Sequence, residues 1–135
     1  MNYKDYSKDS TYKVLSILCK LMNIGIIYEG DTAISNEMDA EGRTIIIMPE
    51  DDDEYIRNGK NITFVLGHEI AHILIEREFN DKNGRACILT EHCCDQIGIG
   101  LYFLADSIVD EIESYKEEFE VSLYKKLTEI LGGGL

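Results

Sequence analysis

The sequence predicts an α+β fold: a small antiparallel sheet packed on a buried helix, with further helices around it. Three observations predict it. Apolar residues recur at spacings of three and four near the N-terminus and again through the last third of the chain. Between these stretches lie short β-branched runs separated by turn residues. The third observation is His68-Glu69-Ile70-Ala71-His72, an H-E-x-x-H pattern inside the apolar segment Ile62 to Ile75. The 135 residues are expected to form one domain, 1–135, long enough to bury a core, with 132–135 as a frayed tail.

The first helix is expected from Ser7 to Met22, because Val14, Leu15, Leu18, Leu21 and Met22 share a face. Asn23 and Gly25 supply its stop and turn. Ile24-Gly25-Ile26-Ile27-Tyr28 is short, apolar and β-branched, hence a strand. Glu29-Gly30-Asp31 makes a turn, and Thr32 to Asn36 is a weaker second strand. Asp39-Ala40-Glu41-Gly42-Arg43 has the composition of a hairpin loop. Thr44-Ile45-Ile46-Ile47-Met48 is the clearest strand, ended by Pro49, and the three strands would form an antiparallel meander. Glu50-Asp51-Asp52-Asp53-Glu54 lacks the spacing and glycine of an EF-hand, so it reads as a solvated loop.

A turn at Asn58-Gly59 precedes Asn61, which is placed to cap the helix of the two histidines. Gly67 is costly inside a helix and implies close packing against a neighbour. Asn80, Asp81, Asn83 and Gly84 mark a loop, after which Thr90 can cap another helix with Glu91 in its first turn. From there to Leu131 the pattern is helical, carried by Ile97, Leu101, Leu104, Ile108, Ile112, Tyr115, Phe119, Leu123, Leu127 and Ile130. Asp106-Ser107 is a candidate division into two helices. Gly98 and Gly100 weaken the first of these or let it lie close to the histidine helix. The stripe is expected to be intramolecular core rather than a coiled-coil seam.

Composition excludes several classes. A net charge of −13 makes direct nucleic-acid binding a poor prospect. No apolar run approaches the length needed to span a bilayer, and Met1-Asn2-Tyr3-Lys4-Asp5 is no signal peptide, so a cytoplasmic protein is expected. Cys19, Cys87, Cys93 and Cys94 form no C-x-x-C pair and read as reduced core or helix-face thiols, with cysteine ligation of zinc the lesser alternative.

Two histidines four apart on a helix share a face, so both imidazoles can reach one metal ion. Glu69 between them can reach a water on that ion without being a ligand, which makes it the candidate general base. The competing reading, a chance match on a solvated face, is opposed by the apolar flanks Ile70, Ile73 and Leu74. A catalytic zinc uses three protein ligands. Glu91, His92, Cys93, Cys94 and Asp95 supply the candidates. Glu91 and Asp95 share a face, so Glu91 can bind the metal while Asp95 accepts the far N–H of a ligating histidine. His92 is about a hundred degrees around the helix from Glu91 and reads as a surface or substrate-side residue.

The order helix, small sheet, His68-Glu69-Ile70-Ala71-His72 helix, then a helix opening Glu91-His92-Cys93-Cys94-Asp95, resembles the ImmA/IrrE family of metallopeptidases. Asn61-Ile62-Thr63-Phe64-Val65-Leu66-Gly67-His68 also looks like that family's lead-in, and the likeness covers roughly residues 10 to 105. The resemblance implies a zincin-like fold, Zn2+ held by His68, His72 and Glu91, Glu69 as base, and Asp95 behind a ligand. It implies a protein substrate, a helix-turn-helix repressor of a phage or mobile element. Two departures stand out. Cys93-Cys94 replaces the family's usual Glu-Ala, and Leu101-Tyr102-Phe103-Leu104-Ala105-Asp106 replaces its Leu-Met-Pro ending.

The expectation is therefore a zinc metallopeptidase, with Thr44 to Met48 able to hold substrate as an added strand and Tyr102, His92 or Arg85 as candidates for the oxyanion. The leading alternative is a non-catalytic zinc-binding partner of such a repressor; a purely structural metal domain is a third.

Overall fold

The computed structural model describes residues 4–79, 88–113 and 119–132. A 3-10 turn, Tyr6–Lys8, leads into α1 (Ser10–Leu21). The Asp9 carboxylate caps this helix, accepting from the Thr11 and Tyr12 amides at 2.9 and 3.4 Å. The helix therefore starts later than its apolar spacing suggests, because the cap decides where the first turn begins. It ends in a Schellman motif. The Ile24 amide donates to the Cys19 carbonyl at 2.8 Å and the Asn23 amide to that of Lys20 at 3.1 Å, with Asn23 at φ 59°. Asparagine tolerates that left-handed conformation, so Asn23 is the stop that the sequence predicts.

Strands β1 (Gly25–Tyr28), β2 (Ile34–Met38) and β3 (Thr44–Met48) form a sheet in the order β1-β3-β2. β1 runs parallel to β3, with Gly25 opposite Ile45 and Tyr28 opposite Met48. β2 runs antiparallel to β3, with Met38 opposite Thr44 and Ile34 opposite Ile47. The expected antiparallel meander is thus corrected to a mixed sheet. The reason lies in side-chain polarity. β3 is apolar from Ile45 to Met48 and suits the centre, whereas β2 carries Ser35, Asn36 and Glu37 and takes an edge. Residues 29–33 have the reach to step past the β3 position, about 10 Å at the usual strand spacing. The hairpin loop is as expected: Asp39 Oδ1 accepts from the Glu41 and Arg43 amides at 3.0 and 2.8 Å, and Gly42 adopts φ 79°.

The acidic run is not wholly solvated. Asp52 is buried and takes Lys4 Nζ at 2.7 Å, and Asp53–Arg57 forms a short helix, α2. Asn61 caps α3 (Ile62–Phe79), its Oδ1 accepting from the Thr63 amide at 2.7 Å. Ile62, Leu66, Ile70 and Ile73 on α3 are buried in one core with Leu15, Ile46 and Met48.

α4 (Ile88–Glu113) runs unbroken through Asp106-Ser107, where Ser107 is exposed, and its start at Ile88 rules out Thr90 as its cap. α5 (Phe119–Ile130) returns Leu123 and Leu127 to the core beside Ile108 and Ile112. Of the expected stripe, Ile97, Leu104 and Ile130 instead face outward. Along its first two-thirds α4 buries small residues, Cys94, Gly98 and Ala105, that an apolar count passes over. Tyr115, the loop from Asn80 to Gly84, Arg85, Cys87 and 133–135 lie outside the described residues. Among those described, no helix is long and apolar enough to cross a membrane.

Candidate metal centre

The site is assembled where α3 and α4 dock. His68 and His72 sit one turn apart on α3, and their Nε2 atoms lie 3.1 Å apart. Glu91 and Asp95 sit one turn apart on α4. The Glu91 carboxylate bridges the two rings, with Oε2 3.2 Å from His68 Nε2 and Oε1 2.9 Å from His72 Nε2. Asp95 Oδ1 lies 2.8 Å from His68 Nδ1, on the far side of that ring. A carboxylate there accepts an Nδ1–H and leaves the Nε2 lone pair facing His72 and Glu91. All four residues singled out by spacing are therefore brought together.

Glu69 is buried, and its carboxyl is pushed up to about 7, first by burial and also by the neighbouring Glu91; His68 and a hydrogen bond from Ser35 act in the opposite sense. Ser35 comes from β2, at the irregular register between Ile34 and Glu37, and is itself buried. A cleft of about 840 Å³ opens over the cluster, with Ala33, Tyr55, Phe64, His92 and Ile99 among its walls. The Tyr55 hydroxyl accepts from the Ala33 amide at 2.9 Å. Sequence reasoning missed both Ser35 and Tyr55. One lies in a weak strand and the other behind an acidic run, and neither carries a spacing signal.

The remaining candidates separate. His92 is exposed on the cleft wall. Tyr102 is not among the cleft's lining residues and stacks on Phe64, with centroids 4.3 Å apart and rings inclined by 10°. Arg85 lies outside the described residues. Cys94 is buried, its thiol pushed up to about 11 mainly by burial, while Cys93 is exposed. Thr44–Met48 has both edges paired, by β1 and β2, so it cannot take an added strand.

The donor set suits a cation. Three carboxyl groups, Glu69, Glu91 and Asp95, surround two imidazoles, oxygen and nitrogen donors of the kind that hold a divalent ion. At bond lengths near 2.0–2.1 Å, tetrahedral donors lie about 3.3 Å apart, close to the 2.9–3.2 Å among these nitrogen and oxygen atoms. His68, Glu69 and His72 also offer atoms within 4.8 Å of one another. Glu91 is the better third donor, because its two oxygens contact both Nε2 atoms and Glu69 stands beside the group.

Fold and site together define an α+β protein with a histidine–carboxylate cluster fit to hold a metal ion. Compared with family models, with curated proteins and with solved structures, the chain matches none.

Proposed function

We propose that this protein is a zincin-like, zinc-dependent metallopeptidase of ImmA/IrrE type, working in the cytoplasm on a helix-turn-helix repressor of a phage or mobile element. The observation that carries the reading is the meeting of both Nε2 atoms with the Glu91 carboxylate, all within 3.2 Å. His68, His72 and Glu91 would hold the ion; two imidazoles and a carboxylate suit Zn2+. When bound, zinc supplies a Lewis acid that acidifies water and polarises a carbonyl.

Glu69 removes a proton from the attacking water and delivers it to the leaving amine. Its burial keeps its proton affinity near neutrality, which suits both halves of that task. Ser35 steadies the carboxylate and Asp95 fixes the His68 ring. The outer edge of β2, the strand that follows the cleft residue Ala33, is where an extended substrate could add as a strand.

The test is incubation of zinc-loaded protein with a repressor encoded by the same element. Wild type should cut it. Glu69→Gln should keep zinc and capture the uncut repressor, with cleavage down by at least the ~10²–10⁴-fold that a positioned base contributes. No cleavage by wild type, together with a regulatory effect in cells that Glu69→Gln retains, would establish the non-catalytic zinc-binding partner instead.

A further inference from the structure

Gly67 and Gly98 face each other across the α3–α4 contact. A Cβ on Gly98 would stand 2.9 Å from the His68 amide nitrogen and 3.2 Å from the Gly67 carbonyl carbon. A Cβ on Gly67 would stand 2.9 Å from the Gly98 carbonyl oxygen. Every one of these obstacles is backbone, so no side chain can turn aside to make room. Gly100, two residues along the same helix, has nothing within 4 Å of its would-be Cβ. Space, and not a left-handed φ, is what position 98 requires.

The contact falls on the metal cluster itself. Gly98 abuts the backbone of His68, the first histidine. Asp95 and Glu91 lie three and seven residues before Gly98, on the same stripe of α4. Asp95 has a short side chain, yet its Oδ1 reaches His68 Nδ1 at 2.8 Å. It can do so only because the two backbones are this close. We propose, resting on the zinc reading above, that the Gly67–Gly98 contact is the spacer that sets the metal site's geometry, placing Glu91 on the two Nε2 atoms and Asp95 on Nδ1. Both glycines are positioning residues and touch neither metal nor substrate. Ordinary contact begins near 3.4 Å, so an added methyl would part the helices by about 0.5 Å, beyond the ~0.2 Å that ligand distances tolerate.

The experiment compares wild type, Gly98→Ala and Gly100→Ala. The measurements are zinc affinity by competition with a chelating dye, the visible spectrum of the Co2+-loaded protein, and the melting temperature without metal. Gly100→Ala should keep wild-type affinity and spectrum, and helix propensity should raise its melting temperature. Gly98→Ala should lose zinc affinity by about 10–100-fold, the range seen when groups behind a ligand are removed, with altered Co2+ bands from a chain that still melts cooperatively.

Asp95→Glu, at an exposed side chain, tests the same spacing without adding bulk between the helices and stands in should Gly98→Ala not fold. Fixed spacing has no room for the extra methylene between α4 and His68, so affinity should fall at least several-fold although the charge is kept. Wild-type affinity and spectrum in Gly98→Ala, or wild-type affinity in Asp95→Glu, overturns the spacer. Wild type that takes up neither Zn2+ nor Co2+ overturns the metal reading itself, and the spacer with it.

Discussion

Glu69→Gln should stabilise the metal-free protein at alkaline pH, and by an amount that grows with pH. The Glu69 carboxyl moves from an ordinary 4.5 up to about 7, chiefly because the folded chain buries it. Below pH 4.5 it is protonated in both states and the shift contributes nothing. Between that value and about 7 the unfolded chain ionises it and the folded chain does not, so stability falls as pH rises. Above about 7 the full penalty stands, about 3 kcal/mol at 1.36 kcal/mol per pKa unit. Glutamine has the same shape and no charge to bury. Its advantage over wild type should therefore grow from about 1 kcal/mol at pH 5 to about 3 kcal/mol at pH 8. In a chain of this length that is roughly 10 °C in melting temperature at the upper pH. The assay is thermal unfolding of both proteins in chelator at the two pH values, which cancels the titration of groups remote from Glu69. Excess zinc should shrink the difference, because a dication beside the carboxylate favours its charged form. A variant no more stable than wild type at pH 8, or one with the same advantage at pH 5, would refute the reasoning that burial strains this group.

Metal analysis should find about one zinc per wild-type chain and little in His72→Ala or Glu91→Gln; full retention in either would remove that residue from the ligand set. Cys93→Ser and Cys94→Ser should keep zinc, whereas Asp95→Asn should bind it about 10–100-fold more weakly; an empty site in either cysteine variant would mark cysteine ligation instead. At the end of α1, Asn23→Ala should destabilise by about 1 kcal/mol and Asn23→Gly should not, since only the first forces a Cβ without a polar partner into φ 59°; equal denaturation midpoints would argue against the Schellman stop. In the core, Leu66→Ala should cost about 2–5 kcal/mol by denaturant unfolding, because Leu66 is fully buried on α3 behind the histidines.

What could be read from the chain follows the range of the interactions involved. His68 and His72, or Glu91 and Asp95, are related by helix geometry alone, so their pairing on common faces is visible as a spacing of four. Asn23 donates its own amide to the Lys20 carbonyl three residues back, and Asn61 accepts from the Thr63 amide two residues on, so both are equally legible. The order of the strands is not a local property. β1 and β3 are parallel neighbours because the central place goes to the strand that is apolar on both faces, and nothing in the loop of residues 29–33 announces the crossing. Asp52 shows the same limit. Within an acidic run it looks solvated, and only the fold supplies Lys4 from 48 residues away.

The adjacent cysteines at 93 and 94 differ by position rather than by residue type. Cys94 is fully buried, one turn before Gly98, on the stretch of α4 that presses against α3. That place needs a small apolar side chain, and a thiol differs from an alanine methyl by one sulfur atom. Cys93 is exposed, where a charged residue and a thiol are both tolerated. Neither cysteine disturbs the approach of Glu91, Asp95 and Gly98 to α3. The donor cluster and the close approach of α4 to α3 are thus carried by different residues within two turns of the same helix. Enlarging Cys94 to leucine should separate the helices as Gly98→Ala does, whereas Cys93→Leu should leave zinc affinity unchanged. A Cys94→Leu protein with wild-type zinc affinity would show that the approach of α4 to α3 does not govern the site.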